Sequence, residues 1–332
     1  MEENILCVGE SLVRLSTQLG THFTNTTQLD VHYGGAEANV AVNLSILGHK
    51  TTYFTKVADN SLGHSAIQHA QKYGVDTSAV IYGGDRVGLY FLETGAGPRA
   101  ASVIYDRAHS AFSQIQLADV DVDALLDGKS MLHITGITAA ISEEARQLTL
   151  ALIKTARAKG ILINFDVNYR AKLWSIEACG EFVRDVLPYV DYLSAGVLDA
   201  VNFIGIEAVD GESLAYYYQK ISEMYPNIRA IYATTRKVHS ATRNDLQGNL
   251  WVDKQLFISK NYSIDYIVDR VGGGDAFAAG VLHGLINNAA PDYVINFATA
   301  FSVLKHSIHG DVAPFTIAEA ERMMTHNAAV DR

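Results

Sequence analysis

From about residue 129 the chain alternates short apolar runs with longer amphipathic stretches. The runs "MLHIT" (131–135), "ILINFDV" (161–167), "VDYLSA" (190–195) and "RAIYATT" (229–235) have the length and flanking residues of buried strands. Between the first two, residues 142–160 read "SEEARQLTLALIKTARAKG". A serine opens this stretch, two glutamates fill its first turn, basic residues gather near its end and Gly160 closes it. That order caps the free N–H groups at a helix start, complements the helix dipole and provides a stop. Leu148 and Leu152, four apart, mark the buried face. Strands alternating with such helices predict parallel βαβ units.

The earlier part is patterned differently. Residues 11–33 and 86–105 are rich in Thr, Tyr, Val and turn residues and show no helical period. Glycines flank each of them, Gly34 and Gly35 in one case and Gly83 and Gly84 in the other. They read as strand-rich excursions that either pair into a small sheet over a cleft or form plain hairpins. No repeat and no Pro/Gly/Ser linker divides the chain, so residues 1–332 are expected to form one α/β domain.

Composition narrows the function. Of 332 residues, 48% are hydrophobic and 19% charged, enough to bury a substantial core. Acidic residues outnumber Lys plus Arg by 36 to 26, a formal charge of −10. A general nucleic-acid or membrane-surface binder needs the opposite sign. Anionic substrates would have to be held by local arginines against the overall field. Cys7 and Cys179 are too few and too distant for a disulfide framework or a zinc site, and Cys7 sits in apolar "NILCVG". The acidic start "MEEN" lacks the features of a signal peptide, and no apolar run approaches the roughly 18 residues of a membrane span. A cytoplasmic protein is the expectation.

The densest chemical signal is "DRVGGGDAFAAG", residues 269–280. A helix N-terminus has unpaired N–H groups and partial positive charge, and glycines before it let the backbone approach an anion. Asp275 in the first turn would sit beside that hole. There it could take a proton from an alcohol while glycine amides stabilise a transferring phosphoryl group. Simple capping by Asp275, with glycines that permit close packing, explains the same spacing. No GKS or GKT follows and GxGxxG is not matched, so this is neither a Walker A loop nor a Rossmann fingerprint.

This run resembles the C-terminal signature of the ribokinase-like (PfkB) carbohydrate kinases, D-x-x-G-A-G-D-x-F-x-x-G. "YGGAEANVAVNLSILG" (33–48) resembles their N-terminal signature and "FDVNYRAKLW" (165–174) their D-x-N-x-R-x-x-x-W stretch, in the family's order. The resemblance implies a doubly wound, mostly parallel sheet flanked by helices, with a small β-sheet lid. It also implies ATP-dependent phosphorylation of a sugar hydroxyl with Mg²⁺, often with a monovalent cation such as K⁺. Asp275 falls on the family's catalytic base. Gly272, Gly273 and Gly274 fall on its anion hole, with Gly272 and Gly274 also at the nucleotide. Asp269 matches the acidic residue of the monovalent-cation region; by itself it reads as a strand-end turn residue. Two positions depart from the pattern. Gly273 replaces the usual alanine and adds backbone freedom. The N-x-x-E motif tied to Mg²⁺ falls on Gly196–Asp199, where Asp199 keeps a carboxylate for magnesium through water.

Within the family the chain looks most like the kinases of 2-keto-3-deoxygluconate (KDG), on "GESLVRLS" (9–16), "GGAEANVAVNL" (34–44) and "PRAASVIYDRAHSAFS" (98–113). A sugar acid calls for a cation aimed at its carboxylate, and a guanidinium can hold both oxygens. Arg107 lies in the lid-like segment, and Arg170 follows Asp166 and Asn168 at a strand end, where open α/β sheets bind ligands. The two are expected to converge on one carboxylate; the plain alternative is surface ion pairs. Tyr90 and Tyr105 match lid positions that contact substrate, and Gly34, Gly35 and Asn39 match the sugar-binding end of the first signature. Arg14 lies near where ribokinases carry an aspartate for neutral sugars.

Thr234 and Arg236 occupy the place of the family's loop beside the phosphates. "FATAFS" (297–302) offers either a wall of the adenine pocket or tight helix packing, and His306 and His309 read as a surface pair. With the resemblance, these features lead to the expectation of an ATP:KDG 6-phosphotransferase. The alternatives are a same-fold kinase for a neutral sugar such as fructose or ribose, or a non-catalytic sugar-acid-binding regulator. The family also implies a homo-oligomer formed through the lid.

Overall fold

A computed structural model of the protein describes residues 4–325. The acidic start before Asn4 lies outside this range. The central sheet has the order Lys50–Phe54, Asn4–Val8, Met131–Thr135, Leu162–Asp166, Tyr192–Ser194, Ala230–Ser240, Arg243–Val252, Gln255–Ile258. The first six strands are parallel; the last two join antiparallel, and Tyr262–Ile264 also pairs with Arg243–Val252. Parallel strands are covered on both faces, which is why they read as unbroken apolar runs. Leu132, Ile134, Ile163 and Phe165 are all fully buried. The run at 229–235 extends to Ser240 because it continues as a ribbon with Arg243–Val252.

Helix Glu143–Ala158 starts where its capping residues indicate. The Ala145 N–H donates to Ser142 Oγ at 3.1 Å, and Gly160 takes a left-handed φ of 72°. Leu148 and Leu152 are buried on the sheet side, each worth about 1.5–3 kcal/mol in removed apolar surface. Helices Gly273–Ile286 and Pro291–Lys305 lie so close that a Cβ on Gly280 would sit 2.6 Å from Ala298 Cα. The whole of "FATAFS" is buried in this region, so its small residues serve helix packing. Cys7 and Cys179 are free and buried. Among the described residues no helix is long and apolar enough to cross a membrane.

The two glycine-flanked excursions pair with each other. They form a separate four-stranded sheet in the order Asp30–Gly34, Leu12–Ser16, Gly88–Glu93, Ser102–Asp106. The two middle strands, one from each excursion, are parallel. Alternation along the strands gives this sheet two faces. Leu12, Tyr90, Leu92, Val103 and Tyr105 face a cleft over the carboxyl ends of the parallel strands. Val31 and Ile104, on the opposite face, are 52% and 54% exposed. The small sheet is a lid.

Candidate active site

The cleft beneath the lid encloses about 470 Å³, and its floor is the start of helix Gly273–Ile286. Gly272 caps that helix with φ 78°, and a Cβ there would collide with the Asp311 carbonyl oxygen. Only glycine meets both demands. Among the described residues, the N–H groups of Gly274 and Asp275 have no acceptor, whereas the Gly273 N–H donates to the Arg270 carbonyl at 3.3 Å. The N–H groups of Gly272, Gly274 and Asp275 are therefore the ones open to an anion, while the Gly273 N–H is already taken.

Gly273 is required for space instead. A Cβ on it would lie 2.6 Å from His306 Cε1. Its departure from the usual alanine thus answers to a buried imidazole and not to backbone freedom. His306 is fully buried, its Nδ1 donates to the Ser302 carbonyl at 2.7 Å, and burial lowers its pKa to about 4. The expected surface pair with His309 is overturned, since only His309 is exposed. Among the described residues no group of three potential metal-ligating side chains forms.

Asp275 is oriented from across the cleft. Asn39 Nδ2 donates to its Oδ2 at 2.7 Å. Asn39 is presented by helix Ala36–Ile46, whose N-cap Gly35 has φ 145° and packs where a Cβ would strike the Glu10 carbonyl. Asp166 ends its strand in the same cleft. Both carboxyls are raised to about 7, first by burial. Asp166 and Asp311 push Asp275 further up, while Asn39 and Arg170 pull it down. A value near 7 suits a general base.

The two arginines of the sugar end are held differently. Arg107 Nε donates to Glu10 Oε2 at 2.8 Å, its Nη2 reaches the same oxygen, and Ser110 Oγ donates to Glu10 Oε1. The pair is buried, with side-chain exposures of 8% and 2%, so Arg107 enters the cleft already neutralised. Arg170 is exposed and donates only to the backbone carbonyls of Tyr169, at 3.0 Å, and Asn168, at 3.5 Å. Both line one cleft, but Arg170, unlike Arg107, forms no side-chain ion pair among the described residues. Tyr90 and Tyr105 lie side by side with ring centroids 6.1 Å apart, and Tyr90 donates to Asp311 Oδ2 at 3.2 Å.

Arg236 and Arg270 line the wall beside Gly272 and Gly274. Burial and the neighbouring Arg270 charge lower Arg236 to about 10, and its Nε has no partner among the described residues. Like charges with spare donors favour an anion between them.

Besides Gly273, four expected residues lie outside the lining. Thr234 does not reach the cleft. Gly34 packs beneath it, where a Cβ would come within 2.5 Å of the Asp311 carboxylate. Asp199 accepts the Gly196 N–H at 2.7 Å as a cap, although its charge still raises Asp166. Asp269 is bonded to Arg14, which is fully buried and so does not face a sugar. Sequence reasoning passed over Glu10, Glu37, Asp311 and Arg270. Arg270 stands inside the glycine signature and Glu10 inside "GESLVRLS", so both were open to notice. Asp311 carries no local signal.

Known proteins resemble this chain in sequence and fold. Residues 2–317 match the pfkB family carbohydrate kinase. A solved PfkB family carbohydrate kinase from Listeria grayi is 47% identical with a TM-score of 0.94, over 97% of this chain and 100% of that one. The solved 2-dehydro-3-deoxygluconokinase of Thermotoga maritima is 36% identical with a TM-score of 0.94, over 98% and 100%. A 2-dehydro-3-deoxygalactonokinase from Haloferax volcanii is 29% identical over the full length of both chains. With the glycine turn, the acceptor-free N–H groups and the lid on one cleft, and the match running through all of them, the chain belongs to the pfkB family of carbohydrate kinases.

Proposed function

We propose that the protein transfers the γ-phosphoryl group of ATP to the 6-hydroxyl of 2-keto-3-deoxygluconate. One observation carries this reading: a single cleft joins Asp275 and free backbone N–H groups to Arg170, which forms no side-chain ion pair among the described residues. Relatives named for 2-dehydro-3-deoxy sugar acids support the substrate class. The sugar carboxylate meets Arg170, while Arg107, fixed by Glu10, and the two lid tyrosines orient the rest. Ionised Asp275, steered by Asn39, accepts the hydroxyl proton as the oxygen attacks phosphorus in line. The Gly274 and Asp275 N–H groups, with Arg236 and Arg270, stabilise charge on the phosphoryl oxygens. Magnesium bound with ATP would neutralise phosphate charge; Asp166, which lines the cleft, is the carboxylate that would hold it, and Asp199, which does not, would act only through water. The outer lid face around Val31 and Ile104 is the surface through which two copies pair.

The test is ADP release with Mg-ATP against KDG, its galacto epimer, fructose and ribose. A kcat/KM far higher for KDG supports the reading. Preference for a neutral sugar retains the kinase and removes Arg170 from carboxylate recognition. KDG binding without ADP release indicates a sugar-acid-binding regulator.

A further inference from the structure

The family resemblance places a monovalent cation beside Asp269, and the residues around it do not fit one. An ionised carboxylate offers about four acceptor sites. Asp269 Oδ1 accepts from Arg14 Nη1 at 3.1 Å and from the Val271 N–H at 3.0 Å. Its Oδ2 accepts from Arg14 Nη2 at 2.6 Å and from the Gly310 N–H at 3.1 Å. The backbone carbonyl of Asp269 accepts from Lys305 Nζ at 3.2 Å, and the same ammonium reaches the Ile308 carbonyl at 3.3 Å. The Asp269 oxygens that would have to ligate a metal ion are therefore spent on the side chains and backbone N–H groups of the chain itself.

Charge leads to the same conclusion. Arg14 and Lys305 are both fully buried, and Arg14 Nη2 also lies 2.9 Å from Asp311 Oδ1. Two carboxylates, Asp269 and Asp311, face two cations, Arg14 and Lys305. An added K⁺ would leave buried positive charge uncompensated, or would have to expel a guanidinium or an ammonium from its bonds. Burial would raise Asp269, but the Arg14 bonds and charge outweigh it and hold the carboxyl below its usual range. Burial also lowers Lys305, with Asp269 and Asp311 acting against that.

These bonds join two backbone segments. One runs from Asp269 into the Gly272 turn. The other runs from Ile308 to Asp311, whose carbonyl abuts Gly272. We propose that Arg14 and Lys305 are built-in replacements for the monovalent cation: they hold the two segments so that the anion hole keeps its shape, and phosphoryl transfer requires no K⁺. Neither residue lines the cleft, so both are positioning residues.

The experiment compares K⁺ with tetramethylammonium at constant ionic strength, reading the melting temperature without substrate and turnover with Mg-ATP and KDG. An ion that binds only the folded state raises the melting temperature with occupancy. The wild type is expected to show no K⁺-specific rise and no K⁺-specific gain in turnover. Either one overturns the proposal. Lys305→Ala removes the ammonium. Its turnover is expected to fall by about tenfold to a hundredfold, the scale of a misplaced catalytic geometry, and to recover with K⁺ or NH₄⁺. A folded Lys305→Ala variant with full turnover in tetramethylammonium would overturn the role given to Lys305. Should that variant not fold, the wild-type measurements still decide. The turnover arm rests on the kinase reading with KDG, whereas the melting arm uses no sugar and stands if that substrate is wrong.

Discussion

The two ends of the cleft are held by different means. At the phosphoryl end, Gly272 abuts Asp311, Gly273 abuts His306, Asn39 holds Asp275, and Asp269 has every acceptor site filled. At the sugar end the lid is a separate sheet, Tyr105 lies between the cations of Arg107 and Lys172, and Arg170 is exposed. In-line transfer tolerates little displacement, so backbone and buried polar groups build that end. Choosing a sugar needs groups that close around one outline, and side chains on a separate sheet and a loop do this.

The largest break in the contrast comes from the phosphoryl end. Asp275→Asn should lower kcat by about 10²–10⁴-fold with sugar affinity kept, as read by turnover and calorimetry. The same group links stability to pH. Its folded pKa of about 7 exceeds the ordinary aspartate value of 3.8, so the stabilising effect of protonation is present below 3.8 and lost as pH rises through 7. Asp275→Asn should therefore melt higher than the wild type above pH 7, and the gap should close in acid. The wild-type kcat/KM should show an acid limb near 7, belonging to Asp275.

Arg107→Ala comes next and should act mainly on stability. It strands Glu10 as a buried charge, at a cost of roughly 3–5 kcal/mol, measurable by denaturant unfolding. Arg170→Ala should leave stability alone and raise KM for KDG by about 10- to 100-fold, the worth of a charged hydrogen bond. Equal effects of these two variants on KM would remove the distinction between the arginines. Gly273→Ala sharpens the phosphoryl end. The crowded His306 ring predicts a loss of about 1–3 kcal/mol in melting experiments. Full stability would return that position to a simple matter of backbone freedom.

Local order along the chain already determined a good deal about this protein. Ser142, the two glutamates and Gly160 bounded a helix, the run at 131–135 was a strand, and the glycines before Asp275 marked a helix start ready for an anion. Each of those depends on neighbours within a few residues, which a sequence displays directly. Only the tertiary structure decided why Gly272 and Gly273 admit no side chain, since the crowding comes from Asp311 and His306, far along the chain. It also decided that Arg107 is spent on Glu10, 97 residues away, and that Arg14 belongs to Asp269, 255 residues away. A buried charge takes its partner from whatever the fold brings into reach, and in a sheet whose neighbouring strands are distant in sequence those partners leave no local trace.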